Sequence, residues 1–129
     1  MTVSVGLRAE AAVVVDQHNT ALAMGGGNVP AFATSALVAL IERAASNALH
    51  RHLEEGEDSV GVAVSVRHLA PTPVGKRVRA EAEVTAVEGR RITFMLRAFD
   101  AVEKVGEGTH QRIVVNREDF IWKMATKGA

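Results

Sequence analysis

A single long amphipathic helix followed only by strands leaves this chain few ways to fold. Leu37, Leu40, Ile41, Ala44, Ala45, Ala48 and Leu49 recur at spacings of three and four, which lines one face of an α-helix. The pattern predicts a helix from Ala33 to about Leu53, with Thr34 or Ser35 able to cap its start. Arg43, His50, Arg51 and His52 add positive charge, and those near the end suit the helix dipole. Glu54-Glu55-Gly56-Glu57-Asp58 closes the segment in a polar turn. The many alanines predict a helix wrapped closely by its neighbours.

Strands surround this helix in sequence. A Val-rich candidate strand lies within residues 3–16, ahead of a Gly25-Gly26-Gly27-Asn28-Val29-Pro30 loop. Further strands are predicted at 59–70, 77–87, 91–100 and 105–116, with a turn at Glu88-Gly89 and another near Asp100–Lys104. In 77–87, Val78, Ala80, Ala82, Val84 and Ala86 alternate with Arg79, Glu81, Glu83 and Thr85. Such alternation marks an antiparallel sheet covered on one side. The order predicts an α+β fold in which a curved antiparallel sheet wraps around one helix, the hot-dog architecture. That architecture usually pairs two chains edge to edge and places ligands at the junction.

Composition narrows the function. The chain has 129 residues, enough for one domain, here residues 1–129, with its own core. Fifteen basic and fifteen acidic side chains cancel, and aromatics are only 4%, which argues against nucleic acid or an anionic membrane as partner. There are no cysteines, so thiolate chemistry and disulfides are excluded, and a reducing cytoplasm is the natural expectation. No apolar run is long enough to span a bilayer, and the first residues lack a secretory pattern.

One titratable group stands out. In Val60-Gly61-Val62-Ala63-Val64-Ser65-Val66-Arg67-His68, strict alternation places Val60, Val62, Val64, Val66 and His68 on one apolar, core-facing side. That aims His68, whose imidazole titrates near neutrality, at the covering helix. Glu42 lies within the helix's apolar stretch and needs a partner if buried. A Glu42–His68 hydrogen bond is therefore expected, which would orient the imidazole and raise its basicity. Thr34 precedes Glu42 by eight residues, about 12 Å along a regular helix, so the two can hold opposite ends of a small substrate or water. Spacing alone leaves a structural role for His68 and a solvated role for Glu42 equally open.

Several linked motifs resemble the fluoroacetyl-CoA thioesterase family. They are Phe32-Ala-Thr34-Ser-Ala-Leu-Val-Ala-Leu-Ile-Glu42, Ser59-Val-Gly61 through His68-Leu-Ala-Pro-Thr-Pro-Val-Gly75, Val87-Glu88-Gly89-Arg90-Arg91, and Gly108-Thr109-His110-Gln111-Arg112. They run in order and spacing from about Pro30 to Phe120. The resemblance implies hydrolysis of a short acyl-CoA thioester, with no cofactor beyond the coenzyme A of the substrate. It implies Thr34, Glu42 and His68 as the catalytic trio, Gly61 as a backbone position beside the thioester, and Arg112 as a functional arginine. Glu42 would attack the carbonyl or activate water, His68 would move the proton, and Thr34 would bond the carbonyl or the water. The family's lid carries an aromatic residue where this chain has Asn28, shortly before Phe32. A small polar lid predicts a general thioesterase without fluoroacetyl selectivity. The alternative is a non-catalytic hot-dog module that binds acyl-CoA or another small apolar ligand.

Other features read more plainly. His50-Arg51-His52 does not converge on a metal, because residues two apart on a helix diverge. Lys76-Arg77 and Arg90-Arg91 are contacts for coenzyme A phosphates or ordinary strand-end charges. Phe120-Ile121-Trp122 is expected as a packing tail, with Trp122 covering the core or a partner subunit. A homodimer is the expected assembly, with pairing of dimers into tetramers left open.

Overall fold

The computed structural model describes residues 1–128. The sheet is built from β1 (Arg8–Val14), β2 (Glu57–His68), β3 (Arg77–Glu88), β4 (Arg91–Phe99) and β5 (Lys104–Asn116). Every pairing is antiparallel, in the order β1-β3-β4-β5-β2. Helix α2 (Thr34–Leu49) lies in the concave face, preceded by the short α1 (Ala21–Met24). This is the hot-dog fold that the element order predicts.

The apolar stripe of α2 drives the packing. Leu37, Ile41, Ala44, Ala45 and Leu49 are fully buried, against Val78, Ala80, Val84, Ile92, Phe94, Leu96 and Ala98 of the sheet. Each large aliphatic side chain buried in this way contributes about 1.5–3 kcal/mol. Close approach needs small residues on the sheet as well. A side chain on Gly106 would begin 2.8 Å from Leu37 Cδ2, so β5 carries glycine where α2 crosses it.

Three expectations change in detail. The predicted helix to Leu53 ends at Leu49, and His50–His52 form a 3₁₀ turn before Gly56, at φ +83°, turns the chain into β2. The helix start has Ala33 as its N-cap with no side-chain cap, because the Thr34 hydroxyl is engaged elsewhere. The expected packing tail is instead a helix, α3 (Arg117–Lys127), capped by the Asn116 side chain. Trp122 is 69% exposed there, so within this chain it does not cover the core.

A fourth difference governs the site. The β2–β5 register shifts between Gly61 and Ala63, a β-bulge. A bulge inserts one residue and reverses which face the following side chains occupy. Ser59 pairs with the buried Val114, and Gly61 pairs with Arg112, so both face α2. Beyond the bulge, Val64 pairs with the buried His110 and His68 with Gly106, so the even positions face α2 there. Val60 is therefore not on the face of His68. Val62 and Val64 are 47% and 44% exposed, so the helix does not cover them, because α2 packs mainly on β1 and β3 and only lightly on β2. That part of β2 is left open to solvent.

Candidate active site

Thr34, Val38 and Glu42 follow one another at i, i+4 and i+8 along α2, so they share one face of the helix. Contacts of Thr34 with His68 and of Glu42 with Arg112 bring that face against β2 and β5. The face has two polar ends, Thr34 and Glu42, whose backbones are about 12 Å apart.

At the first end, Thr34 Oγ1 and His68 Nδ1 share a hydrogen bond of 2.8 Å. Phe32, 3% exposed, meets the imidazole edge-on with the ring centres 6.4 Å apart. Phe32, Thr34, His68, Leu69, Ala70 and Pro71 line a cavity of about 300 Å³. His68 Nε2 is buried and has no hydrogen-bond partner among the described residues. Burial pulls the His68 pKa below its ordinary value of 6.5, so the ring is neutral at pH 7. A neutral ring can present either a proton or a lone pair at Nε2, according to whether Thr34 donates or accepts at Nδ1.

At the second end sits a network built on Arg112, which is 7% exposed. Its Nε donates to Ser59 Oγ and its Nη2 to the Ser59 carbonyl, both at 2.9 Å. Its Nη1 is 3.2 Å from His110 Nε2 and 3.8 Å from a Glu42 carboxylate oxygen. His110 Nδ1 lies 2.8 Å from the Ala63 carbonyl. A carbonyl only accepts, so Nδ1 carries the proton and Nε2 accepts from Arg112. Burial lowers the His110 pKa, the Ala63 carbonyl raises it, the Arg112 charge lowers it further and Glu42 raises it; the net shift is down. Burial lowers the Arg112 pKa too, against the opposing pull of Glu42 and Asp58.

Gly61 completes this end. A methyl group there would lie 2.7 Å from Glu42 Oε2 and 3.0 Å from His110 Cε1. Only a bare backbone lets the carboxylate lie against the strand at this point.

The expected Glu42–His68 hydrogen bond does not form within the chain. Threonine takes the imidazole, and the carboxylate, 44% exposed, turns to the guanidinium. The sequence reading gathers Thr34, His68, Phe32, Glu42, Gly61 and Arg112, and the fold brings them to the two ends of one helix face, Phe32, Thr34 and His68 at one and Glu42, Gly61 and Arg112 at the other. Asn28 instead lies exposed in the bend after α1 and does not line the His68 cavity. Ser59 is absent from that reading, and His110 enters it only through the Gly108-Thr109-His110 triplet, on the parity of Arg112 and with a structural role as its default; the fold has both hold Arg112. The only sequence signal for Ser59 is the glycine two residues on, since glycine inside a strand marks a bulge or a close approach; here it marks both.

A family model for the fluoroacetyl-CoA-specific thioesterase matches residues 15–118. The chain belongs to this family. It is 44% identical over 96 residues to the fluoroacetyl-CoA thioesterase of Streptantibioticus cattleyicolor, covering 74% of this chain and 69% of that protein. A crystal structure of a fluoroacetyl-CoA thioesterase superposes with a TM-score of 0.90 at 38% identity, covering 97% of each chain. A hypothetical protein of Thermus thermophilus described as a thioesterase superfamily member also superposes at 0.90, with 27% identity over 97% of this chain and 93% of that one. The family's chemistry is thioester hydrolysis, and this chain is a thioesterase of that family.

Proposed function

We propose that this protein hydrolyses short acyl-CoA thioesters as a cytoplasmic homodimer, with Thr34, Glu42 and His68 as its catalytic groups. The observation that carries the reading is His68. A neutral imidazole is fixed through Nδ1 by Thr34 and leaves Nε2 buried and unpartnered beside a cavity. A buried polar atom without a partner is costly, and a reacting proton or water would satisfy it. Glu42 supplies the carboxylate that attacks the thioester carbonyl or takes a proton from water. Where Glu42 activates water, the C–O bond forms as the water proton passes to the carboxylate, the C–S bond then breaks, and that proton reaches the departing thiolate through His68 Nε2. Where Glu42 attacks, the C–O bond to the carboxylate forms, the thiolate leaves, and water then cleaves the acyl-Glu42 anhydride to free the acid and the carboxylate, with His68 taking the water proton and passing it to the thiolate. Arg112, held by Ser59 and His110, lies 3.8 Å from the carboxylate and orients it.

The dimer reading rests on the sheet edge. Among the described residues β2 pairs only with β5, and its Val62 and Val64 are exposed. An unpaired apolar edge invites a second strand, and a second copy seated there would cover Val62 and Val64 and exclude water from this side of the site. The lid reading rests on Asn28: with a small polar side chain in that exposed bend, acetyl-CoA and fluoroacetyl-CoA should react at rates within about tenfold.

Free-thiol release from a panel of short and aromatic acyl-CoAs tests the proposal. Turnover by the wild type, lost in both His68→Ala and Glu42→Ala, is the expected result. Ligand binding without turnover on any thioester would replace it with a non-catalytic binding module. A strong preference for fluoroacetyl-CoA would overturn the lid reading.

A further inference from the structure

A second cavity lies apart from the one at His68. It is on the opposite, convex face of the sheet, has a volume of about 390 Å³, and is lined by Pro73, Lys76, Arg77, Arg79, Phe99, Asp100 and Val102. Arg77 and Arg79 are the outward positions of β3, and Phe99 is paired with Arg79 across the sheet. The Arg79 guanidinium sits 5.3 Å from the centre of the Phe99 ring and is neutralised by Glu10 and Glu81. Lys76 and Arg77 are different: both are exposed, and neither forms an ion pair among the described residues. The Asp100 carboxylate is engaged by Thr72 Oγ1 and by the backbone N–H groups of Val102 and Glu103, each at 2.9 Å. The site therefore offers apolar surface at Phe99, Val102 and Pro73 beside two cations that form no ion pair among the described residues, with the Asp100 carboxylate held by its hydrogen bonds to Thr72, Val102 and Glu103.

One loop joins this cavity to the candidate active site. Leu69, Ala70 and Pro71 wall the His68 cavity, and Pro73 and Lys76 wall this one. Between them Thr72 is fully buried; its carbonyl accepts from Phe32 N at 2.9 Å and its hydroxyl donates to Asp100. Pro71 and Pro73 are two residues apart, so at most about 7 Å of chain separates the two rims. A long, flexible substrate with its reacting end at His68 can cross this loop.

We propose that this convex-face cavity binds the 3′-phosphoadenosine diphosphate end of a coenzyme A thioester, with Lys76 and Arg77 on its phosphates and Phe99 and Val102 against the base. The inference rests on the acyl-CoA reading above and deepens it by naming where the nucleotide is held. Cavities of a few hundred Å³ with apolar walls and a few placed charges are the usual form of a small-ligand site. Phosphates gain most from cations that are not already paired. Arg90 and Arg91, the other basic pair in the sequence, fit less well: Arg90 is paired with Glu57 at 2.9 Å and Arg91 donates to Gln111 at 2.9 Å.

The test compares the wild type with a Lys76→Ala/Arg77→Ala double variant on two substrates, an acyl-CoA and the matching N-acetylcysteamine thioester, which has no nucleotide. The double variant should raise KM for the acyl-CoA about tenfold or more with kcat unchanged, and leave the short thioester unaffected. An acyl-CoA KM within about twofold of wild type overturns the proposal. So does a changed elution volume with unchanged KM, which would make this face an interface between copies. Calorimetry with adenosine 3′,5′-bisphosphate and with inorganic phosphate keeps the test independent of turnover. Nucleotide binding that weakens in the double variant supports the site even if no thioester is hydrolysed, a result that would sink the catalytic reading instead. No nucleotide binding, or nucleotide and phosphate binding equally well, removes the proposal.

Discussion

Gly61→Ala separates what the site does from what holds the fold together. The added methyl would sit 2.7 Å from Glu42 Oε2 and 3.0 Å from His110 Cε1. The His110 ring cannot retreat easily, because Ala63 and Arg112 hold both its nitrogens. Glu42 can, since its carboxylate is the free end of a flexible side chain. Losing its 3.8 Å approach to Arg112 from a partly exposed position costs about 0–1 kcal/mol. Crowding of the ring adds about 1 kcal/mol. Against these, alanine reduces the freedom of the unfolded chain by about 0.4–1 kcal/mol, and Gly61 does not have the positive φ that would strain it. The net loss of stability is about 1 kcal/mol, a fall of about 4 °C in Tm for a chain of this size. Catalysis should suffer far more. A displaced base or nucleophile costs about 100-fold in kcat, equal to about 2.7 kcal/mol of barrier. Thermal melts and thioester kinetics on Gly61→Ala, Glu42→Gln and the double variant provide the check. The two single variants should lose similar activity and the double no more than either. If Gly61→Ala keeps kcat within about threefold of wild type while Glu42→Gln is crippled, Glu42 does not work from its place against Gly61, and the reasoning fails.

Other outcomes follow from the same geometry. Thr34→Val keeps the shape but frees His68 Nδ1; kcat should drop about 10–100-fold, with a stability loss of about 1 kcal/mol by chemical denaturation. Unchanged kcat would leave the Thr34–His68 bond with no catalytic role. The pH dependence follows from two histidines whose folded pKa values lie below 6.5, chiefly through burial. The unfolded chain binds more protons in that window, so stability is full above 6.5 and falls as pH drops through it toward the folded values. The acid limb of kcat/KM should likewise lie below 6.5, and a limb above that value would contradict a half-buried, neutral His68. Gly108→Ala should destabilise by about 3 kcal/mol or more, measured by denaturant midpoint, since a methyl there would sit 2.1 Å from the Ser65 carbonyl oxygen. A wild-type midpoint would mean that β2 and β5 do not lie as close as described.

The sequence by itself determined the elements and the residue inventory. Apolar spacing located α2, and alternation located β3, β4 and β5 to within a residue or two, because both are local consequences of backbone geometry. The family-like motifs brought Thr34, Glu42, His68, Gly61 and Arg112 to notice. Only the tertiary structure decided how they pair. The bulge at Gly61 is a property of the β2–β5 register, set by a strand nearly fifty residues away in sequence, so alternation along β2 alone carried Val60 to the wrong face. The partner of His68 was likewise beyond local pattern. Thr34 and Glu42 occupy the same helical face, and periodicity cannot say which of them a strand's end will meet. That depends on how far α2 slides along the sheet, which the packing of Leu37 against Gly106 fixes. Ser59, and the contact that ties His110 to Arg112, came to light only with the structure, because buried polar groups must find partners and those partners are chosen by three-dimensional proximity, not by position along the chain.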